Sequence, residues 1–363
     1  MIFGFTNLIK YIFFLLLLIF MPFINFGQKV GVVLSGGGAD GIAHIGVLKA
    51  LEEKNIPIDY IAGTSMGALV GAMYASGYSP TEMEVMVHQE KFKKWAVGEI
   101  EEQHIYYFKK READAGWINF KFSLDTLIQT SLPTNLISPV PVDFGLMEFF
   151  ARPTSACNRN FDSLFVPYRC VASNITDKRQ EVFSKGDLGQ SVRASMSYPF
   201  YIKTLNIDNK LYFDGGLYNN FPTDVMYENF KPDIIIGSNV SESLNPPDED
   251  DLISQVKSIF ITRGLSIEIP IKMFIIEPKL GFVGLFDFDQ PDELIASGYS
   301  EALKKTEEIA QAVARKSDPE FLKKKRKYFR ETAPQLVFNQ VEVKGLSKNQ
   351  SNYVRKLLGL KKN

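Results

Sequence analysis

The pentapeptide Gly63-Thr64-Ser65-Met66-Gly67 sits between an apolar run, Ile58 to Ala62, and a small-residue helical pattern, Ala68 to Ser76. Strand, Gly-x-Ser-x-Gly and helix, in that order, form a nucleophile elbow. A sharp turn lifts a serine hydroxyl out of the backbone, and the flanking glycines remove the Cβ atoms that would clash there. The helix behind the serine aims its N-terminus at the place where negative charge develops during acyl transfer. Such pentapeptides occur by chance in glycine-rich loops; the strand before this one and the helix after it give it weight.

A second loop lies upstream. Lys29 to Ser35 (KVGVVLS) reads as a buried strand of β-branched residues and runs into Gly36-Gly37-Gly38-Ala39-Asp40-Gly41. A helical pattern follows, with Ile42, Ile45, Leu48 and Leu51 on one face, and Asn55 and Pro57 end it. The chain thus spells strand, glycine loop, helix, strand, serine elbow, helix. A right-handed crossover brings both loops to the carboxyl edge of adjacent parallel strands. Three consecutive glycines leave backbone N–H groups unshielded beside the elbow, as an oxyanion hole requires. Gly36, Gly38 and Gly41 also satisfy the G-x-G-x-x-G of a dinucleotide fold. That reading needs a ribose-binding acid near the end of the second strand. The one candidate, Asp59, lies at its start, and the serine elbow occupies its end.

Ser65 needs a base. The chain has three histidines, His44, His88 and His104, and none follows them. An α/β-hydrolase triad places its histidine on a late loop, so surface or helix-packing roles suit all three better. The alternative is Asp214, in Leu211-Tyr212-Phe213-Asp214-Gly215-Gly216, at the end of a short apolar strand where catalytic groups gather. A carboxylate hydrogen-bonded to a hydroxyl in a dry cleft can take its proton. Alone, the same residues would read as an Asp-Gly-Gly hairpin turn.

Together these motifs resemble the patatin-like phospholipases. That family has a glycine-rich oxyanion loop, a Gly-x-Ser-x-Gly nucleophile and an Asp-Gly-Gly/Ala base, and works by a Ser-Asp dyad without histidine. Phe161 to Ala172 (FDSLFVPYRCVA) resembles its central strand, and Arg193 to Pro199 (RASMSYP) its Ala-Ser-x-x-x-Pro segment. Asp214 to Pro222 (DGGLYNNFP) resembles its Asp-Gly-Gly-x-x-x-Asn-x-Pro run, and the likeness covers roughly residues 29 to 315. The resemblance implies Ser65 as nucleophile and Asp214 as base. It implies the amides of Gly36, Gly37, Gly38 and Met66 as oxyanion donors, with Gly41, Gly63, Gly67, Gly215 and Gly216 shaping the loops. No cofactor is implied. One position departs from the pattern: where the family usually carries Arg or Lys, this chain has Asp40. An acid in the first turn of a helix suits the macrodipole. Near an oxyanion hole it opposes the charge being stabilised, so activity is expected to be lower than a basic residue would give.

Composition agrees with a globular enzyme. The 363 residues are 45% hydrophobic and 23% charged, enough for one large core plus an appendage. A formal net charge of −1 suggests no nucleic-acid partner. Cys157 and Cys170 are the only cysteines. A disulfide after export is possible in principle, but Cys170 sits in a predicted strand and reads as a buried thiol. No Cys/His cluster has metal-ligand spacing, so no metal is expected.

The expected fold is a three-layer α/β/α domain with a mainly parallel central sheet, followed by a short C-terminal βα appendage. Residues 1–27 read as a signal peptide: Tyr11 to Phe20 (YIFFLLLLIF) is an apolar stretch behind Lys10, too short for a typical membrane span, with cleavage expected near Gly27-Gln28. Residues 28–315 form the acyl hydrolase domain. Trp117 to Arg152, with an apolar helical piece at Phe144 to Phe150, could cap the cleft or pack as core. Pro246 to Asp251 (PPDEDD) reads as an acidic surface loop. Residues 316–334 read as a basic linker helix, whose Lys323 to Arg330 (KKKRKYFR) could touch anionic headgroups. Residues 335–363 resemble the opening strand and helix of a POTRA domain, with Ser347 as N-cap. The function expected is hydrolysis of phospholipid or lysophospholipid esters at a membrane surface by an exported protein of the periplasm or outer membrane. The alternatives are a general serine esterase on soluble esters, or a catalytically weakened lipid-binding or secretion-linked module.

Overall fold

The computed structural model describes residues 27–100, 135–241, 249, 255, 258, 269–281, 284, 286–335, 342–343 and 346–357. The expected leader, His104, the first half of the Trp117–Arg152 stretch, and most of the acidic loop and of the strand Gln335–Val343 lie outside the described residues.

The first half of the described chain alternates strands and helices. Strand β1 (Val30–Leu34) leads through a 3-10 turn (Gly38–Ile42) to helix α1 (Ala43–Glu53), strand β2 (Tyr60–Thr64) and helix α2 (Met66–Ala75). Helices α3 (Pro80–Val87) and α4 (Glu90–Val97) follow, then the short strand β3 (Asn135–Ile137) and helix α5 (Val140–Ala156). Strands β4 (Tyr168–Asn174) and β5 (Arg179–Phe183) precede helix α6 (Leu188–Ser195) and the three short strands β6 (Phe200–Ile202), β7 (Leu205–Ile207) and β8 (Lys210–Phe213). Helix α7 (Thr223–Phe230), strands β9 (Ile234–Ser238) and β10 (Lys272–Ile276), and helices α8 (Pro291–Ala312), α9 (Pro319–Thr332) and α10 (Lys348–Leu357) complete it.

The central sheet runs β10-β9-β1-β2-β4-β8-β7, with β5 on the far edge of β4. Strands β10, β9, β1, β2 and β4 are parallel; β5 and β8 run antiparallel to β4, and β7 antiparallel to β8. The apolar pattern of β1 explains its central place. Alternate side chains of a strand face opposite layers. Val32 and Leu34 enter the large core with α1 and α2, whereas Val33 meets Met226 of α7 on the other face. Both faces are therefore covered, as parallel sheets require. Helix α8 lies across α1 at very close range: a Cβ on Gly46 would sit 2.0 Å from the Ile295 carbonyl oxygen, and one on Gly298 2.0 Å from that of Ala43.

One arrangement decides the chemistry. Residues Cys170–Asn174 of β4 pair with β5 along one edge. On the other edge Thr64 of β2 pairs with Val171, and Phe213 of β8 pairs with Ser173. Strands β2 and β8 thus meet almost end to end along β4, so the residues that follow them, Ser65 and Asp214, emerge at one spot.

The stretch expected to be a linker helix is folded back on the domain. In α9, Arg326 pairs with Glu52 at 2.5 Å and Arg330 with Glu82, while Lys325 and Arg326 lie over the Phe165 ring. Acidic partners on α1 and α3 neutralise these arginines, which is why the stretch is not a free spacer. Helix α10, expected from Asn349 to Leu358, has no buried residue. Among the described residues no helix is long and apolar enough to cross a membrane.

Candidate active site

Ser65 has a φ of 53°, a left-handed conformation that few non-glycine residues adopt. Three contacts hold it there. Its N–H donates to Ser195 Oγ at 2.8 Å, and Ser195 in turn donates to the Val171 carbonyl at 2.5 Å. Its carbonyl accepts the Leu69 N–H at 3.1 Å in the first turn of α2. At Gly67, a Cβ would fall 2.4 Å from the carbonyl oxygens of both Leu34 and Ser35, so only glycine lets α2 start this close to β1. The strained turn leaves the serine hydroxyl free to point into the cleft.

That hydroxyl donates to Asp214 Oδ2 at 2.6 Å. Asp214 is buried, with its other oxygen accepting the Gly216 N–H at 2.8 Å. Asp214 caps a 3-10 turn, Gly215–Leu217, rather than a hairpin. Burial pushes its carboxyl up to about 6, against the downward pull of the Ser65 and Gly216 hydrogen bonds. A carboxylate poised there is a competent base near neutral pH.

The glycine loop faces the same point from the β1 side. Gly38 and Met66 begin their helices, so neither N–H has an intrahelical acceptor. Gly37, Gly38 and Met66 line the cavity that contains Ser65 and Asp214. Gly36 is a correction: its N–H donates to the Asn220 carbonyl at 3.0 Å, which ties the loop to the Asp214 segment and leaves Gly36 outside the cavity wall. Gly41 packs on Met66, where a Cβ would lie 2.4 Å from its Cγ, and Gly63 adjoins the Gly67 carbonyl. Gly215 lies against Val171, and Gly216 holds Asp214.

The cavity has a volume of about 110 Å³ and is walled by apolar side chains, among them Leu69, Trp95, Val142, Leu146, Phe149 and Phe286. Helix α5, within the described part of the expected cap, supplies three of these. Asp40 is buried in the 3-10 turn and does not line the cavity; its Cβ lies 3.6 Å from where a side chain on Gly37 would begin.

The described histidines are elsewhere. His44 is fully buried, not superficial: its ring contacts Ser238 Oγ at 2.8 Å and the Ser35 carbonyl at 2.9 Å, and burial lowers it to about 4. His88 lies exposed between the Glu84 carbonyl and Asp292. Asp59 is tied to the Val30 N–H and to Arg315, not to a ligand loop. Both cysteines are free and buried, and burial pushes Cys170 up to about 12. Among the described residues no cluster of His, Cys, Asp and Glu has the makings of a metal site.

Ser195, Tyr198 and Asn220 lie within the RASMSYP and DGGLYNNFP motifs, which by themselves assign none of them a task. Ser195 fixes the elbow, Asn220 donates to the Gly36 carbonyl at 3.4 Å, and Tyr198 lines the cavity. Their spacing from Ser65 along the chain carries no signal; only the fold joins them.

Several known proteins are similar to this chain. Over 204 residues the chain is 32% identical to a patatin-like phospholipase domain-containing protein of Caenorhabditis elegans, covering 55% of this chain and 13% of that protein. It is 32% identical over 203 residues to a neuropathy target esterase of Drosophila melanogaster, covering 55% and 12%. A lysophospholipase of Saccharomyces cerevisiae is 31% identical over 200 residues, covering 55% and 10%. The match thus spans only 10–13% of these relatives' length. Among solved structures, VipD from Legionella pneumophila superposes with a TM-score of 0.45 and 14% identity, covering 79% of this chain and 67% of that one. The sequence profile described as patatin-like phospholipase matches residues 32–227, a span that holds the glycine loop, the elbow and the Asp214 turn. With more than half of its length inside that profile, the chain belongs to the patatin-like phospholipase family.

Proposed function

We propose that the protein is a serine acyl hydrolase that releases fatty acids from phospholipid or lysophospholipid esters through an acyl-enzyme. The observation that carries this reading is the 2.6 Å hydrogen bond from Ser65 to a buried carboxylate inside an apolar cavity. Asp214 takes the Ser65 proton as Oγ attacks the ester carbonyl. The amides of Gly37, Gly38 and Met66 receive the oxyanion. Asp214 then returns the proton to the departing alcohol, and later activates the water that frees the acid.

A lipid is favoured over a soluble ester by the cavity walls and by helix α5. Val142, Leu146 and Phe149 face the cavity at helical spacing, and on the opposite side Val140, Phe144 and Met147 are exposed. A helix apolar on both faces suits a substrate presented at an apolar surface. The name of one relative, a lysophospholipase, points the same way. The competing reading, a weakened lipid-binding module, rests on Asp40 beside the glycine loop.

The test is fatty-acid release from lysophospholipid micelles, phospholipid vesicles and short soluble esters by wild type and Ser65→Ala, together with fluorophosphonate labelling of Ser65. Lipid turnover and labelling in the wild type, and neither in the variant, are expected. Preference for soluble esters would favour the esterase reading. Turnover retained in Ser65→Ala would sink the mechanism.

A further inference from the structure

The Tyr198 hydroxyl is buried in the wall of the same cavity and, among the described residues, has no hydrogen-bond partner. An unsatisfied hydroxyl in a low-dielectric wall is an unfavourable arrangement for a folded protein unless a ligand completes it. The ring is not loose. It packs edge-on against Phe286, with centroids 5.6 Å apart. The preceding residue, Ser197, accepts the Asp214 N–H at its carbonyl at 2.9 Å, and its hydroxyl accepts from Arg193 at 2.7 Å. Tyr198 is therefore fastened to the Asp214 side of the cleft.

The sheet order then assigns sides to a bound ester. The glycine loop follows β1, on one flank of β2; Asp214 follows β8 on the other flank, and Tyr198, after helix α6 packed on β4 and β8, is joined to it through the Ser197 carbonyl. An ester seated with its carbonyl oxygen on the glycine amides turns its alkoxy oxygen towards Asp214, which must reprotonate it. Tyr198 lies on that flank.

We propose that Tyr198 serves the leaving group, its hydroxyl donating a hydrogen bond to the alkoxy oxygen of the ester as the acyl C–O bond breaks. This rests on the acyl-hydrolase reading above. The balance is simple. The bond from Ser65 Oγ to the acyl carbon has formed, and its proton has passed to Asp214. When the tetrahedral intermediate collapses, the C–O electron pair goes to the alkoxy oxygen, which takes the proton from the Asp214 carboxyl. Tyr198 transfers nothing; it shares its hydrogen with the charge that develops before the proton arrives. Burial, with the nearby Asp214 charge, pushes the phenol up to about 12, so it remains a donor throughout the neutral range.

A purely structural tyrosine would not distinguish one ester from another, whereas a leaving-group donor must. The test compares wild type, Tyr198→Phe and Ser65→Ala on two octanoyl esters, p-nitrophenyl octanoate and monooctanoylglycerol. Nitrophenolate departs as a stable anion, while the glycerol alkoxide needs help. Tyr198→Phe is expected to lose roughly 10- to 100-fold in kcat/KM on the glycerol ester and less than about threefold on the nitrophenyl ester. Its fluorophosphonate labelling rate should stay at the wild-type level, because fluoride leaves unaided. Its Tm should be equal to or above wild type, since a hydroxyl without a protein partner contributes nothing to the unliganded fold. Equal losses on both esters, no loss on the glycerol ester, or a lowered Tm would each overturn the assignment of Tyr198 while leaving the Ser65 mechanism standing. If the wild type hydrolyses neither ester, or Ser65→Ala hydrolyses both, the hydrolase reading falls and Tyr198's role falls with it.

Discussion

Replacing Asp214 by asparagine should abolish catalysis and stabilise the protein. In the folded state burial lifts the carboxyl from its ordinary 3.8 to about 6, despite hydrogen bonds from Ser65 and Gly216 that favour the charged form. In the unfolded chain the ordinary value returns. The folded state thus holds the proton more tightly. Stability linked to Asp214 is complete below 3.8 and is lost as the pH rises from there through about 6. At about 1.4 kcal/mol per pH unit, the loss reaches about 3 kcal/mol by neutral pH. Asparagine has no charge to desolvate, keeps an oxygen for the Gly216 N–H and turns an amide towards Ser65. Asp214→Asn should therefore exceed wild type by up to about 3 kcal/mol near pH 7 and match it near pH 4. Urea unfolding at several pH values across that range measures the difference from midpoint and slope. A difference that does not change with pH, or a wild type that is the more stable at neutrality, would refute the reasoning. Hydrolysis by the same variant should fall by several orders of magnitude.

Wild-type kcat/KM should climb about tenfold per pH unit below about 6 and level off near neutrality, because only ionised Asp214 accepts the Ser65 proton; a flat profile across that range would contradict the assignment. Asp40→Asn should raise kcat on a lipid ester by up to roughly tenfold with little change in KM, since a unit charge ~8 Å from the oxyanion at an effective dielectric of about 20 opposes it by ~2 kcal/mol before screening. Asparagine is the suitable probe because Asp40 is buried, where a lysine would not fit; an unchanged kcat would show the carboxylate directed away from the site. Gly46→Val should cost at least about 3 kcal/mol, read as a lowered Tm, because its Cβ would start 2.0 Å from the Ile295 carbonyl oxygen and force α8 off α1; an unaltered Tm would mean the helices separate freely.

The local motifs were legible because each obeys a short-range rule. The run KVGVVLS reads as a buried strand, and Gly63 to Gly67, set between an apolar run and a helical pattern, reads as a sharp turn between strand and helix. With no histidine after His104, the sequence leaves the base to a carboxylate such as Asp214. What the residues could not carry is how distant segments meet. Asp214 reaches Ser65 across 149 positions because β2 and β8 share one edge of β4, a pairing fixed by the whole sheet. The same tertiary registration diverts the Gly36 amide to Asn220, buries His44 between Ser35 and Ser238, and draws the basic helix α9 onto Glu52 and Glu82. Periodicity and turn chemistry act over a few residues, so sequence determined the first two strands, the elbow and the serine it exposes. Hydrogen-bond partners, burial and the shifted carboxyl of Asp214 depend on what packs alongside, and only the folded chain decided them.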